Sequence, residues 1–351
     1  MTADVPDIEV IQKSRPIRSR SGLLNNVCLI GAFDSENNDP QVFVDLEEAK
    51  TALGTDDTFN GCKVLPILFT KGTLLAVNIT TWTGTGENKT AEKTLTVEKL
   101  AAALAKVKGE DFDMVFIADN LTDEAMVILD TFLEDIHKMK MPAGYVAAIT
   151  RVSTAAYLTT ASKAGEFCYG LISQSFDVNG KEYDVLESAA YYAHVIAEID
   201  PGKSMTMKQV PGVTGVSPEY TFETGDAGTS LVGAGLTILR CLNRNDERYV
   251  VVNSEQPNGL DLYINRVRDY VIKEMALHQF LGNRNRQATL KEVIQELDRV
   301  KYKCIDTMDL LKDIVYDVEK VSAKCADVTI TKLLFDGVIT KMHVYYSIEV
   351  E

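Results

Sequence analysis

The side chains that could do chemistry are few and scattered. There are four histidines: His137, His194, His278 and His343. A histidine general base needs a partner that orients its ring. His137 lies on an amphipathic pattern and His194 on an alanine-rich one, and neither has a carboxylate at an orienting spacing. A Ser-His-Asp set is assembled in space, so spacing alone leaves it open. The G-x-S-x-G turn that would expose a serine nucleophile does not occur. Gly233-Ala234-Gly235 begins a dinucleotide fingerprint, but Ile238 stands where the third glycine belongs. Gly84-Thr85-Gly86 lies in a polar loop that follows no buried strand, and G-x-x-x-x-G-K-[ST] is missing. The six cysteines form no C-x-x-C pair and read as small buried hydrophobes in a reducing compartment. Asp306, Asp309, Asp313, Asp317 and Glu319 fall largely at helical spacing and read as a solvated helix face, without an EF-hand pattern. The expectation is no catalytic residue, no cofactor and no metal.

The elements that would carry any site come next. A chain of 351 residues, 46% apolar and 25% charged, is long enough for two or three domains and is expected to fold. The net charge of −15 repels nucleic acid and anionic membranes. Met1 to Arg20 lacks the apolar core of a secretory signal, and no run of about 18 apolar residues occurs. Neither export by such a signal nor direct membrane insertion is expected.

The pattern predicts an α/β architecture joined to an α+β region. Residues 1–20 read as an extended arm and 21–88 as a small β-rich domain. Within the latter, Val27–Gly31 is a buried strand, Val42–Val44 a short one, and Asp45–Leu53 a helix capped by Asp45 and stopped by Gly54. Lys63–Phe69 and Leu74–Ile79 are further apolar runs. Residues 89–225 alternate between strand and helix periods. Val97–Lys106, Thr122–Met139 and Ser188–Ile199 are helical, and Asp113–Ala118, Gly144–Ile149 and Phe167–Gln174 are buried strands, as in a parallel sheet. Residues 226–337 read as α+β: a strand at Arg248–Asn253, helices at Leu260–Phe280 and Leu290–Met308, and strands at Val328–Ile330 and Lys332–Phe335.

The two ends carry the most specific pattern. In residues 338–351, Met342, Val344, Tyr346, Ile348 and Val350 fall on one face of a period-two strand that runs to the last residue. Near the start, Ile8, Val10 and Ile11 offer a second short strand. A lone strand is unstable in water. Each end must pair within its own chain or add to the edge of a neighbour's sheet, and the pattern leaves both open.

Several segments, in order, resemble the contractile tail sheath family of phages, R-type bacteriocins and related injection systems. They are Gly22–Gly31 (GLLNNVCLIG), Ala189–Val216 (AAYYAHVIAEIDPGKSMTMKQVPGVTGV), Leu231–Leu239 (LVGAGLTIL), Tyr263–Tyr270 (YINRVRDY) and the terminal strand. The resemblance implies a subtilisin-like α/β domain without protease chemistry. It also implies a structural subunit that polymerises with itself as helically stacked hexameric rings around an inner tail tube protein. Such a sheath meets a baseplate and a tail terminator, and its contraction drives the tube through a target envelope. It would be assembled in the bacterial cytoplasm as part of a phage tail or similar particle. Ile8, Val10 and Ile11 near the start, and Met342, Val344, Tyr346, Ile348 and Val350 at the end, would exchange strands between subunits. The chain is short for the family, so large decoration domains are not expected. Arg266, Arg268, Lys273, Arg284, Arg286 and Lys291 fall in a stretch whose only acids are Asp269 and Glu274, and Arg299, Lys301 and Lys303 extend it. Part of that surface is expected to face an acidic tube, the alternatives being a solvated helix face or internal ion pairs. A nucleotide- or sugar-utilising α/β enzyme and another self-assembling shell protein are the competing readings.

Overall fold

The computed structural model describes residues 24–84, 89–139, 141–243, 248–275, 287–320 and 326–336. Its elements run β1 (Val27–Gly31), β2 (Gln41–Phe43), α1 (Leu46–Leu53), α2 (Asn60–Leu68), β3 (Leu74–Asn78), β4 (Thr81–Thr83), β5 (Thr90–Glu92), α3 (Val97–Val107), β6 (Met114–Asn120) and α4 (Asp123–Lys138). They continue with β7 (Gly144–Ala148), α5 (Thr154–Ala161), β8 (Cys168–Ile172), β9 (Ser175–Val178), β10 (Lys181–Tyr183), α6 (Val185–Glu198), β11 (Val213–Ser217) and α7 (Ala227–Gly233). The last are β12 (Leu239–Asn243), β13 (Arg248–Val251), α8 (Leu262–Glu274), α9 (Gln287–Tyr302), β14 (Asp313–Lys320) and β15 (Ala326–Leu334).

The main sheet has the order β2-β3-β1-β6-β7-β8. Every pair is parallel except the edge pair β2–β3. Its parallel strands, β1, β3 and β6 to β8, are apolar almost throughout because helices cover both faces. In chain order the parallel strands run 2-1-3-4-5, the doubly wound arrangement. α2 and α6 pack together on one face, while α3 and α4 pair with each other. Right-handed crossovers from β3 to β6 and from β6 to β7 put α3 and α4 on the opposite face. The sequence expectation of a separate β-rich domain at 21–88 is corrected here. β1, β2 and β3 belong to the same sheet as β6 to β8 and share one apolar core with them.

Local chemistry explains the helix boundaries. The Asp45 carboxylate accepts from the N–H groups of Glu47 and Glu48, and Gly54 at φ 90° ends α1. Thr122 caps α4, and Asp184 with Glu187 forms a capping box on α6. The apolar run at Lys63–Phe69 belongs to a helix, α2, which holds Pro66 in its last turn.

A doubly wound sheet opens a crevice where the strand order reverses, here at the C-terminal ends of β1 and β6. The chain leaving β1 is Ala32 and Phe33, both buried. Phe33 N–H donates to Asn78 Oδ1 at 3.0 Å and Thr80 Oγ1 at 3.1 Å, and Asn78 Nδ2 donates to Ser35 O at 2.6 Å. These bonds sew the loop after β1 to the end of β3. Gly61 of α2 lies against it, donating its N–H to Ala32 O.

Candidate assembly interface

A second apolar cluster lies outside the main core. It is built from Tyr263, Val267, Tyr270 and Val271 of α8, Val300 of α9, Cys304, Leu310 and Leu311 of the following turns, Ile314 of β14, and Leu24. α9 buries Leu290, Val293, Leu297 and Val300 at helical spacing, and Val300 joins the cluster. A π turn at Lys303–Thr307 closes α9, and Leu310 N–H then donates to Cys304 O.

From there β14 and β15 form an antiparallel pair of eight and nine residues with a register shift at Val315/Tyr316. Ile314, Tyr316, Ile330 and Leu333 pack on the cluster side, while Val315 is exposed. Two ties fasten the pair to α9. Tyr316 Oη donates to Asp298 Oδ1 at 2.5 Å, and Lys301 Nζ reaches Ile314 O at 3.0 Å and Asp313 at 2.6 Å. Among the described strands β14 and β15 pair only with each other. Among the described residues each therefore has an outer edge that no other strand covers, a template for a further strand. The carboxylates at 306–319 were expected on one helix face. This is corrected: Asp313, Asp317 and Glu319 lie on β14, where they alternate with Ile314, Tyr316 and Val318.

Both ends of the described chain start from this cluster. Leu24 is buried in it. Phe335 stands edge-on to the Tyr263 ring, with centroids 5.9 Å apart, and Tyr263 Oη donates to Asp336 O. The expected exchange residues Ile8, Val10, Ile11, Met342, Val344, Tyr346, Ile348 and Val350 lie outside the described residues.

The expected basic face is largely a correction. Arg266 is 1% exposed, and its guanidinium donates to Ile199 O at 3.0 Å and Asp200 O at 3.3 Å, at the C-terminal end of α6. Burial pulls its pKa down. Arg268 donates to Asp269 at 3.0 Å and lies 3.7 Å from Glu166. Lys273 is buried against Asp113 at 2.5 Å, with Phe112 O also at 2.5 Å and Asp111 at 3.5 Å. These three cations are paired inside the chain, because α8 is covered on both sides. Lys291 is exposed on α9, and Arg284 and Arg286 lie outside the described residues. Farther along, Arg299 pairs with Glu296, Lys301 with Asp313 and Lys303 with Glu274.

Among the described residues, both histidines and four cysteines sit in packing contacts, while His278, His343 and Cys325 lie outside the described residues. His137 packs its ring on Phe167, and His194 stacks on Tyr191. Cys28, Cys62, Cys168 and Cys304 are buried. Among the described residues no group of three potential metal ligands converges, and no helix is long and apolar enough to cross a membrane.

No family model matches the sequence, and neither does any curated protein. Solved structures do match in fold. A sheath tail protein from Desulfitobacterium hafniense aligns with TM-score 0.64 at 12% identity, over 89% of this chain and 93% of its own. A sheath tail protein from Listeria innocua aligns with TM-score 0.59 at 11% identity, over 88% and 95%. A chain of the helical sheath of the anti-feeding prophage in its contracted state aligns with TM-score 0.64 at 12% identity, over 98% and 99%. The chain thus has the fold of the contractile tail sheath proteins.

Proposed function

We propose that this chain is a sheath subunit that polymerises as helically stacked hexameric rings around an inner tube and contracts to drive that tube forward. One observation carries the reading: the sheath fold spans nearly the whole chain, and its β14–β15 pair keeps two outer edges beside the roots of both terminal segments. In this reading residues 1–20 and 338–351 are exchange arms. Ile8, Val10 and Ile11 of one neighbour, and Met342 to Val350 of another, complete the two-stranded sheet through backbone hydrogen bonds. The α/β layer is a subtilisin-like scaffold used without catalysis, and residues 226–337 lie nearest the tube. The partners are a second copy of the chain, a tube protein, a baseplate and a tail terminator, assembled in a bacterial cytoplasm. Arg284, Arg286 and Lys291 remain the basic residues proposed to face the tube.

The test is electron microscopy of the purified chain with and without its arms. Helical tubes are expected for the full chain. Removal of residues 340–351, or of the first 12, should leave a folded monomer that builds no long tubes. Normal tubes from both truncated chains would show that the arms pair internally.

A further inference from the structure

The two faces of β14 differ in charge. Ile314 and Tyr316 turn toward the second cluster, with Val318 on the same face. Val315, Asp317 and Glu319 stand on the other face, and all three are exposed. The register shift at Val315/Tyr316 places its extra residue, Thr331, on β15, so β14 alternates without interruption. On β15, Lys332 lies opposite Val315 and Thr329 opposite Asp317, both exposed. Asp327 lies opposite Glu319 in the register. Like charges directly opposed destabilise a strand pair. The outer edge of β14 is thus the acidic one, and it lacks a cation where two carboxylic residues meet.

The residues before Leu24 supply the complementary pattern. In a chain of net charge −15, residues 12–23 carry Lys13, Arg15, Arg18 and Arg20 and no acid. Laid parallel to β14 with Ile11 beside Val315, this segment puts Lys13 beside Asp317 and Arg15 beside Glu319. On the opposite face Val10 meets Ile314, Gln12 meets Tyr316 and Ser14 meets Val318. Glu9 falls beside Asp313, which Lys301 already holds at 2.6 Å. Pro16 falls at Lys320, where β14 ends and a missing N–H is tolerated. A slip of one residue turns Lys13 and Arg15 to the cluster side. The antiparallel alignment that matches the same charges sets Arg18 beside Ile314 and carries Val10 and Ile11 past the end of the strand.

We infer that residues 10–15 of a second copy of this chain add to the outer edge of β14, parallel to it, in the register Ile11–Val315, Lys13–Asp317 and Arg15–Glu319. The backbone ladder supplies the hold, and the two charge pairs select the strand, its direction and its register. Chain length favours a second copy. Leu24 shares a cluster with Ile314, at the start of β14. The chain's own segment would end at Lys320, about 20 Å farther on. It would then have to turn back at Pro16 and spend most of the reach of eight residues on the return. The inference rests on the sheath reading for the existence of arm exchange; the register is its own.

Reciprocal charge reversal in the full chain tests it, with assembly followed by sedimentation velocity and its form by electron microscopy. Lys13→Glu/Arg15→Glu and Asp317→Lys/Glu319→Lys should each raise the concentration needed for assembly about tenfold or more. The second variant lowers the net negative charge, so a net-charge effect alone would promote its assembly. An equimolar mixture of the two variants should assemble as wild type, because each arm then finds an oppositely charged edge on the other chain. Arg18→Glu/Arg20→Glu makes the same charge change outside the register and should assemble as wild type does. If the β14 variant does not fold, the contrast between the two arm variants decides. Wild-type assembly by Lys13→Glu/Arg15→Glu, or equal loss in Arg18→Glu/Arg20→Glu, overturns the register. Rescue in one chain carrying both reversals but not in the mixture shows own-chain pairing and also overturns it. Assemblies other than tubes that follow this charge pattern would sink the sheath reading and leave the register standing. A wild-type chain that stays monomeric overturns both.

Discussion

Asp130 of α4 shows how burial sets a single residue's behaviour. Its carboxylate accepts the Gly165 N–H at 2.7 Å and faces the Tyr145 hydroxyl at 3.4 Å, with Cys168 and Glu166 nearby. Burial, together with the Glu166 charge, outweighs those hydrogen bonds and lifts its pKa from 3.8 to about 6. Below pH 3.8 the group is protonated in both folded and unfolded chains and has no effect. Between 3.8 and about 6 the unfolded chain ionises first, so Asp130 costs the fold a growing increment that is complete above 6. Asp130→Asn keeps an acceptor and removes this slope. In urea titrations at pH 4, 5, 6 and 7, the variant's stability advantage should grow from pH 4 to 6 and then level off. A difference independent of pH would exclude the assignment. Arg266 gives a second test at this scale. Its planar fork gives one nitrogen to Asp200 O and another to Ile199 O just beyond α6, a two-point geometry that a lysine's compact ammonium does not reproduce. Arg266→Lys should therefore cost about 1–3 kcal/mol in chemical denaturation.

Among the elements, α2 makes the sharpest demand on sequence. A Cβ at Gly61 would lie 2.5 Å from Ala32 O and 2.7 Å from the Phe33 ring, and that carbonyl is fixed by the strand it leaves. Gly61→Ala should destabilise by about 1–3 kcal/mol through overpacking; a melting temperature at or above wild type would show that the loop after β1 yields. The sequence did not reveal this helix, because Pro66 and the run Val64-Leu65 suggest an apolar strand; Pro66 has no N–H to give the Cys62 carbonyl, and the helix ends two residues later at Leu68. Elements with chemical boundary marks were legible: α1 through Asp45 and Gly54, α4 through Thr122, and the apolar β6 and β7. α5 went unread, since its eight residues carry little apolar periodicity. β14 was misread because its carboxylates fit a helical count as easily as a strand's alternation; Ile314, Tyr316 and Val318 at period two were the available signal. The candidate interface was legible only as a tendency toward strands. Which basic residues face outward depends on tertiary burial: Arg266 and Lys273 look like a surface patch in sequence, but α8 is covered on both sides.

For the whole molecule, charge would act on the proposed assembly in two opposing senses. Each chain carries −15, so stacking copies would bring like charges together. Raising salt shortens the screening length from about 30 Å at 0.01 M to about 8 Å at 0.15 M, and this weakens the repulsion between subunits. Backbone ladders between strands are short-ranged and survive it. Polymerisation of the chain alone should therefore become faster and reach greater length as salt rises over this range. Docking onto an acidic tube through Arg284, Arg286 and Lys291 would use exposed charge pairs, which the same salt weakens. Light scattering of the isolated chain, and co-sedimentation with pre-formed tubes, should thus respond to salt in opposite directions. The Arg284→Glu/Arg286→Glu variant should lose tube binding at all salt concentrations while keeping the salt-promoted self-assembly. If it binds tubes as wild type does, the contact with the tube lies on another surface.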